Sequence, residues 1–230
     1  MMEKTVIIVA GGQGMRFGQE LPKQFFYIRE RPLLMHTVDL FHVYDPEMQI
    51  IIGLQENFFS HWESVCEQFH FDVPHLLSPG GETRFQTVKN ALSLVTPGNL
   101  VGIHDAVRPL IYRRTIDNCF EAAQKHGAAL PVLELNDSIR QLTPDGSRWA
   151  DRETFRLVQT PQVFQYNILM KGYEADYSEE FTDDASVVEK AGFKVAVVEG
   201  NRENFKITTP DDLVFAEAIF ESYRKRCGFY

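Results

Sequence analysis

The run Thr5-Val6-Ile7-Ile8-Val9-Ala10-Gly11-Gly12-Gln13-Gly14-Met15-Arg16-Phe17-Gly18 decides the fold. Residues 5–10 are a continuous, largely β-branched apolar run, without the period-two alternation of a half-exposed strand. Such a run predicts a strand covered on both faces. It empties into glycines, which let the chain turn tightly and bring N–H groups up to an anion with no Cβ in the way. Counting from Gly12, the third glycine of a dinucleotide fingerprint would fall on Phe17, and no Gly-Lys-Ser/Thr follows, so the loop is neither that fingerprint nor a Walker loop. Instead Arg16 sits inside it and Pro22-Lys23-Gln24 comes just after. Two cations beside a backbone cradle of Gly11, Gly12 and Gly14 suit a polyphosphate.

Outward from this stretch, similar apolar runs recur at 49–54, 100–104, 128–133 and 194–198. Between them lie amphipathic segments at 33–43, 58–69, 83–94, 113–125 and 183–191, and a last helix over 211–226 is opened by Pro210. The alternation predicts a single domain over 1–230, a doubly wound, mostly parallel α/β sheet that binds ligands at the carboxyl ends of its strands. One stretch, 136–159, breaks the rhythm. Its Thr143-Pro144-Asp145-Gly146 is a turn, since proline presets φ and glycine accepts a positive φ. It reads as a protruding hairpin-like β-arm, with an ordinary surface excursion as the alternative.

Composition narrows the classes. The chain has 230 residues, 44% hydrophobic and 24% charged, as a globular protein does. Lys+Arg 23 against Asp+Glu 32 leaves a net charge of −9. An acidic surface argues against nucleic acid, which needs a basic face to displace phosphate counterions. Cys66, Cys119 and Cys227 are odd in number and far apart, so no disulfide framework or zinc site is expected. The apolar run at 5–10 is too brief for a signal-peptide core, and no stretch nears the ~18 apolar residues of a membrane span. A reducing, cytoplasmic setting without membrane contact is expected.

Further pieces join the glycine loop in a fixed order: Gly80-Gly81-Glu82-Thr83-Arg84, His104-Asp105-Ala106-Val107-Arg108-Pro109, Asp151-Arg152, Thr160-Pro161-Gln162, Thr182-Asp183-Asp184-Ala185-Ser186 and Asn204-Phe205-Lys206-Ile207-Thr208-Thr209-Pro210. With Ala10-Gly11-Gly12-x-Gly14-x-Arg16 and Pro22-Lys23-Gln24, this order resembles the 2-C-methyl-D-erythritol 4-phosphate cytidylyltransferases of non-mevalonate isoprenoid synthesis. The resemblance covers nearly the whole chain and implies a Rossmann-like nucleotidyltransferase fold. It also implies CTP and a phosphorylated polyol as substrates, Mg²⁺ or another divalent cation, and a homodimer whose arms exchange.

Several site residues follow from the resemblance. The implied reaction is attack of an acceptor phosphate oxygen on the α-phosphorus of CTP. Its nucleophile is already anionic, so positioning and charge neutralisation carry the catalysis. Arg16, Lys23 and Lys206 would stabilise the phosphate in flight, Lys206 otherwise being a solvated lysine. Gly80, Gly81, Glu82, Arg84 and Thr87 would meet the cytidine, while Thr83 also suits a helix cap. Asp105 would hold the metal, with Glu203 or Asn204 as candidates for a second ligand, or else would pair with Arg108 to shape its turn. Arg108, Ser138, Arg152 and Thr182 would hold the acceptor, Thr182 being equally suited to capping the helix that follows. The family often shows threonine where Ser138 stands, and the approach at 133–137 is longer than its usual form.

Three rivals are weighed. Ribitol-5-phosphate cytidylyltransferases share most of these pieces, and their acceptor differs by a methyl branch and one carbon of length. A non-catalytic nucleotide-binding regulator would be expected to lack a metal carboxylate or a phosphate cation, yet Asp105, Arg16, Lys23 and Lys206 are all present. A nicotinamide oxidoreductase is disfavoured by Phe17 and by Arg16 within the loop.

Overall fold

The computed structural model describes residues 2–12 and 21–229. Gly14 and Arg16 lie outside the described residues. In chain order the strands and helices are β1 (Lys4–Ala10), β2 (Tyr27–Ile28), β3 (Arg31–Pro32), α1 (Leu33–Tyr44), β4 (Gln49–Leu54), α2 (Phe59–Gln68), β5 (Leu76–Pro79), α3 (Arg84–Leu92) and β6 (Leu100–Asp105). Then follow α4 (Arg113–His126), β7 (Ala128–Leu133), β8 (Ile139–Thr143), β9 (Gly146–Ala150), β10 (Leu157–Val158), β11 (Gln162–Gln165), α5 (Tyr166–Gly172), α6 (Asp184–Lys190), β12 (Ala196–Glu199) and α7 (Pro210–Arg224).

Strand β1 is central because it has no polar face to offer water. Val6, Ile7 and Ile8 are fully buried. Val6 and Ile8 join one core, with Phe41 of α1, Trp62 of α2, Phe120 of α4 and Ala216 of α7. Ile7 joins the other, with Val88 of α3, Leu169 of α5 and Val187 of α6. Helices therefore cover both faces, as the unbroken apolar runs predict.

The sheet order is β10-β7-β11-β6-β1-β4-β5, with β12 beside β7. Strand β1 runs parallel to both neighbours, Ala10 opposite Leu54 and Val9 opposite Asp105. Strand β5 continues the set, Pro79 opposite Leu54. The carboxyl ends of β1, β4, β5 and β6 therefore share one edge, and the glycine loops leave from it.

Two features depart from the sequence reading. Strand β11 lies between β6 and β7 and is antiparallel to both, so the sheet is mixed at its centre; a four-residue strand with glutamine at each end carries no apolar run to announce it. Helix α5 was likewise not anticipated. Boundaries moved slightly: helix α3 starts after Thr83, which caps it by accepting from the Gln86 N–H at 3.1 Å.

The arm is a two-stranded sheet of its own, β8 against β9, closed where Thr143 faces Gly146. Gly146 has φ +137°, a conformation that favours glycine. Leu142 and Trp149 on this hairpin are 83% and 72% exposed, so it protrudes with an apolar surface that its own chain leaves uncovered. Among the described residues no helix is long and apolar enough to cross a membrane.

Candidate active site

A cleft of about 200 Å³ opens at the shared strand edge, lined among others by Gly11, Gly12, Lys23, Glu82, Arg84, Asp105 and Lys206. Its walls are held by side-chain amides. Gln24 donates to the Ala10 carbonyl at 2.8 Å. Gln55 donates to the Gly11 and Gly81 carbonyls at 3.0 and 2.9 Å, so one side chain ties the two glycine loops together. Gly11 must be glycine because a Cβ there would lie 2.6 Å from Thr87 Oγ1.

Thr87 lines the cleft and is also a support of it. It is buried, its Oγ1 accepts from the Gly81 N–H at 2.9 Å and donates to the Thr83 carbonyl at 3.0 Å. Its hydroxyl braces the loop that would meet the base.

The electrostatic centre is Asp105, buried at the end of β6. Arg108 Nε lies 3.0 Å from Oδ2, Lys206 Nζ 3.2 Å from Oδ2, and Arg84 Nε 3.6 Å from Oδ1. Burial alone would raise its pKa, but Lys206, Arg84 and Arg108 outweigh burial and hold it far below the usual carboxylate range. The Lys206 side chain is 39% exposed against 8% for Asp105, so the lysine reaches from the buried carboxylate into the cleft. It is not a merely solvated lysine.

A polar frame behind this centre fixes the segments that carry it. His104 is fully buried. Its Nε2 lies 3.0 Å from the Arg108 carbonyl and its Nδ1 lies 3.1 Å from Thr160 Oγ1, which also accepts the Asp105 N–H at 3.1 Å. These contacts assign the proton to Nε2 and make the Thr160 hydroxyl the donor to Nδ1. Gln159 donates to the Asn201 and Asn204 carbonyls at 2.9 and 3.2 Å, and Asn204 donates to the Thr160 carbonyl at 2.8 Å. The segment bearing Lys206 is thereby latched to the break between β10 and β11.

Desolvation lowers the His104 pKa from 6.5 to about 4, so the ring is neutral. Between those values the unfolded chain binds a proton that the native protein refuses, so stability falls as pH drops through that window. The difference is worth about 3 kcal/mol. His36 shifts in the same direction, also through burial, whereas the contribution of Asp105 is lost only below the window, as its unfolded-state pKa is near 4. Urea unfolding between pH 7 and pH 4.5 should show a declining midpoint, with a shallower decline in His104→Gln. An equal decline in both proteins would exclude His104 as its source.

The structure brings Gly11, Gly12, Lys23, Glu82, Arg84, Thr87, Asp105 and Lys206 into one cleft. Gly80 and Gly81 shape its rim, Gly80 N–H donating to the Leu54 carbonyl at 2.7 Å. Arg108 lies outside the lining of the cleft: its Nε donates to Asp105 Oδ2 at 3.0 Å and its Nη1 to the Asn204 carbonyl at 2.7 Å, a pairing that shapes its turn. Ser138, Arg152 and Thr182 are exposed and do not line the cleft of their own chain. Arg152 instead meets the Asn136 carbonyl and Glu153. Asp183, rather than Thr182, caps α6.

Neither suggested second metal ligand lines the cleft with Asp105. Glu203 is taken by Tyr112 at 2.8 Å and Arg226 at 3.0 Å, and Asn204 is fully buried in the latch. The sequence reading also missed Gln24, Gln55, Gln159 and Asp184 as supports of the site. Of these, Gln24 and Asp184 lay in motifs already singled out, though neither for this role.

A doubly wound sheet with a glycine-rich, cation-lined cleft at its carboxyl edge defines a Rossmann-like α/β nucleotidyltransferase. Residues 4–222 match the family model described as IspD, 2-C-methyl-D-erythritol 4-phosphate cytidylyltransferase, and the chain belongs to that family. Curated relatives bearing that name are 48% identical in Bacteroides thetaiotaomicron and 49% identical in Bacteroides fragilis, each over 95% of this chain and the whole of the relative. Among solved structures, 4-diphosphocytidyl-2C-methyl-D-erythritol synthase from Anaerococcus prevotii superposes with TM-score 0.82 at 25% identity, covering 96% of both chains. The cytidylyltransferase from Thermus thermophilus superposes with TM-score 0.76 at 30% identity, over 96% of this chain and all of that one.

Proposed function

We propose that the cleft transfers a cytidylyl group from CTP to the phosphate of 2-C-methyl-D-erythritol 4-phosphate, releasing pyrophosphate. The observation that carries this reading is the meeting of Lys206, Arg84 and Asp105 opposite the Gly11-Gly12 loop and Lys23. An acceptor phosphate oxygen attacks the α-phosphorus; that P–O bond forms as the bond from the α-phosphorus to the bridging oxygen breaks. No proton need be removed from the nucleophile, which explains a site rich in cations and poor in general bases. Lys23 and Lys206 meet the charge on the α-phosphate as it grows, together with Arg16 as read from the sequence. Such preorganised donors are each worth on the order of 10²–10³ in rate.

The donor set fits a divalent cation in one way. Among the described residues no group of three His, Cys, Asp or Glu side chains could enclose a metal. Asp105 Oδ1, however, meets Arg84 only at 3.6 Å, too long for a hydrogen bond, while Oδ2 takes Arg108 and Lys206. Asp105 would thus supply one oxygen ligand, with triphosphate oxygens and water as the rest. When bound, the cation neutralises triphosphate charge and favours departure of pyrophosphate.

Ser138 and Arg152 sit on or beside the arm and away from the cleft of their own chain. Their proposed role at the acceptor therefore requires a second copy, through a homodimer whose arms exchange. The exposed Leu142, Trp149, Phe155 and Leu157 supply an apolar surface for that contact.

The test is pyrophosphate release with CTP and Mg²⁺, run with methylerythritol 4-phosphate and ribitol 5-phosphate in parallel. Turnover should depend on acceptor and favour methylerythritol phosphate in kcat/KM. A preference for ribitol phosphate would replace the acceptor, and acceptor-independent nucleotide binding without turnover would favour a regulator.

A further inference from the structure

Asp184 takes no part in the proposed transfer, yet it lies fully buried in the first turn of α6. Its Oδ1 accepts the Tyr173 hydroxyl at 2.7 Å. Its Oδ2 lies 2.7 Å from Arg84 Nη2, a contact in which the N–H is not aligned on the oxygen, so the attraction is Coulombic first. The same guanidinium stands 3.6 Å from Asp105 Oδ1. Arg84 therefore lies between two carboxylates, nearer the one outside the cleft.

Asp184 is not free to follow Arg84. Gln162 donates to Asp183 Oδ2 at 2.8 Å and accepts the Ala185 N–H at 2.9 Å, and Asp183 and Ser186 form a capping box. Tyr173, which holds the other oxygen, stacks on Phe85 at 4.7 Å. With α6 anchored on β11, the mobile partner is the arginine side chain. Deprived of Asp184, its nearest remaining carboxylate is Asp105, and it would close on the oxygen it now leaves open.

We infer that Asp184 is a positioning residue for the metal subsite: it holds Arg84 off Asp105 Oδ1 and keeps that oxygen open for the divalent cation. The inference rests on the reading of Asp105 as the metal carboxylate. Neutralising Asp184 should therefore damage metal binding specifically, and removing Arg84 as well should repair it.

The experiment is titration calorimetry of CTP into the full chain, with and without Mg²⁺, reading the ratio of the two dissociation constants. For the wild type the ratio should be about tenfold, within the usual range of coupling between ligands. Asp184→Asn should bring it to within about twofold of unity, and Asp184→Asn with Arg84→Gln should restore it to the wild-type value. Arg84→Gln alone should keep the ratio at least at the wild-type value, which supplies a decision even if Asp184→Asn does not fold. Tyr173→Phe, which removes a hydrogen bond in the same packing, should lower Tm and leave the ratio unchanged. A merely structural role would lower Tm and weaken both affinities alike.

An unchanged ratio in Asp184→Asn, failure of the double variant to recover, a fall in Arg84→Gln, or a wild-type ratio near one would each overturn the inference. Pyrophosphate release by the wild type, assayed on the same sample, tests the transfer reading separately. Its absence would remove that reading and leave the calorimetric ratio to decide the role of Asp184.

Discussion

Asp105→Asn should lose turnover by on the order of 10²–10³ while binding metal-free CTP several-fold more tightly. The two effects have one cause. In the native cleft the carboxylate neutralises Lys206, Arg108 and part of Arg84, and its negative charge repels a triphosphate. Removing the charge frees those cations for the nucleotide, but removes the oxygen that would hold the divalent cation. Breaking a buried ion pair by deleting one partner costs about 3–5 kcal/mol at full burial. Here Lys206 is partly solvated and Arg84 retains Asp184, so a loss of about 1–3 kcal/mol is expected, and a domain of ordinary stability survives it. Steady-state kinetics across Mg²⁺ concentrations, nucleotide titration without metal, and urea unfolding measure the three quantities. Turnover within threefold of the wild type and the same metal dependence would remove Asp105 from the metal subsite.

Two inactive variants should restore activity to each other. If the arm carries Arg152 to the neighbouring copy, each site joins Lys23 of one chain to Arg152 of its partner. Lys23→Ala and Arg152→Ala are then each nearly inactive alone. In a mixed dimer one site receives both lesions and the other receives neither. Random reassociation makes half the dimers mixed, so about a quarter of wild-type activity should return after the two are unfolded and refolded together. If both residues served one site within one chain, every site would keep a lesion and nothing would return. A mixture no more active than its parents, with exchange verified by a tag, excludes the composite site. The exposed apolar hairpin supports the exchanged arrangement, because a lone chain would leave Leu142 and Trp149 in water.

Much of the fold was legible locally. Thr5–Ala10 reads as a doubly covered strand because its Val-Ile-Ile-Val centre favours burial and the β conformation on both faces, and apolar runs recur in both neighbours. The glycines and Lys23 were legible because phosphate chemistry demands bare backbone and cations where parallel strands end, and Asp105 because it is a carboxylate at a strand end; Lys206 was legible only through the family resemblance. Pro210 announced α7 because its fixed φ suits the first turn of a helix, and in the structure Thr209 caps that turn. Strand β11 escaped because its place depends on neighbours far away in the chain rather than on its own four side chains (Gln162 pairs with Ile103 and Val163 with Ala129).

The partners of the charged groups were decided by tertiary structure alone. Nothing near Arg84 in sequence indicates that its guanidinium lies against Asp184, or that Arg108 also donates through Nη1 to the Asn204 carbonyl. Nor does the sequence around Thr87 reveal that its hydroxyl is used on Gly81 and Thr83. Apolar burial has a period, because a strand or helix must present a repeating face to the core. A buried ion pair or amide latch has none, since it joins whichever two polar groups the topology brings within about 3 Å and denies to water. The sequence by itself therefore determined the apolar parallel strands, the glycine loops and the kinds of residue at the cleft. Which of those residues remain available to a substrate was settled only when distant segments met and the buried charges found their partners.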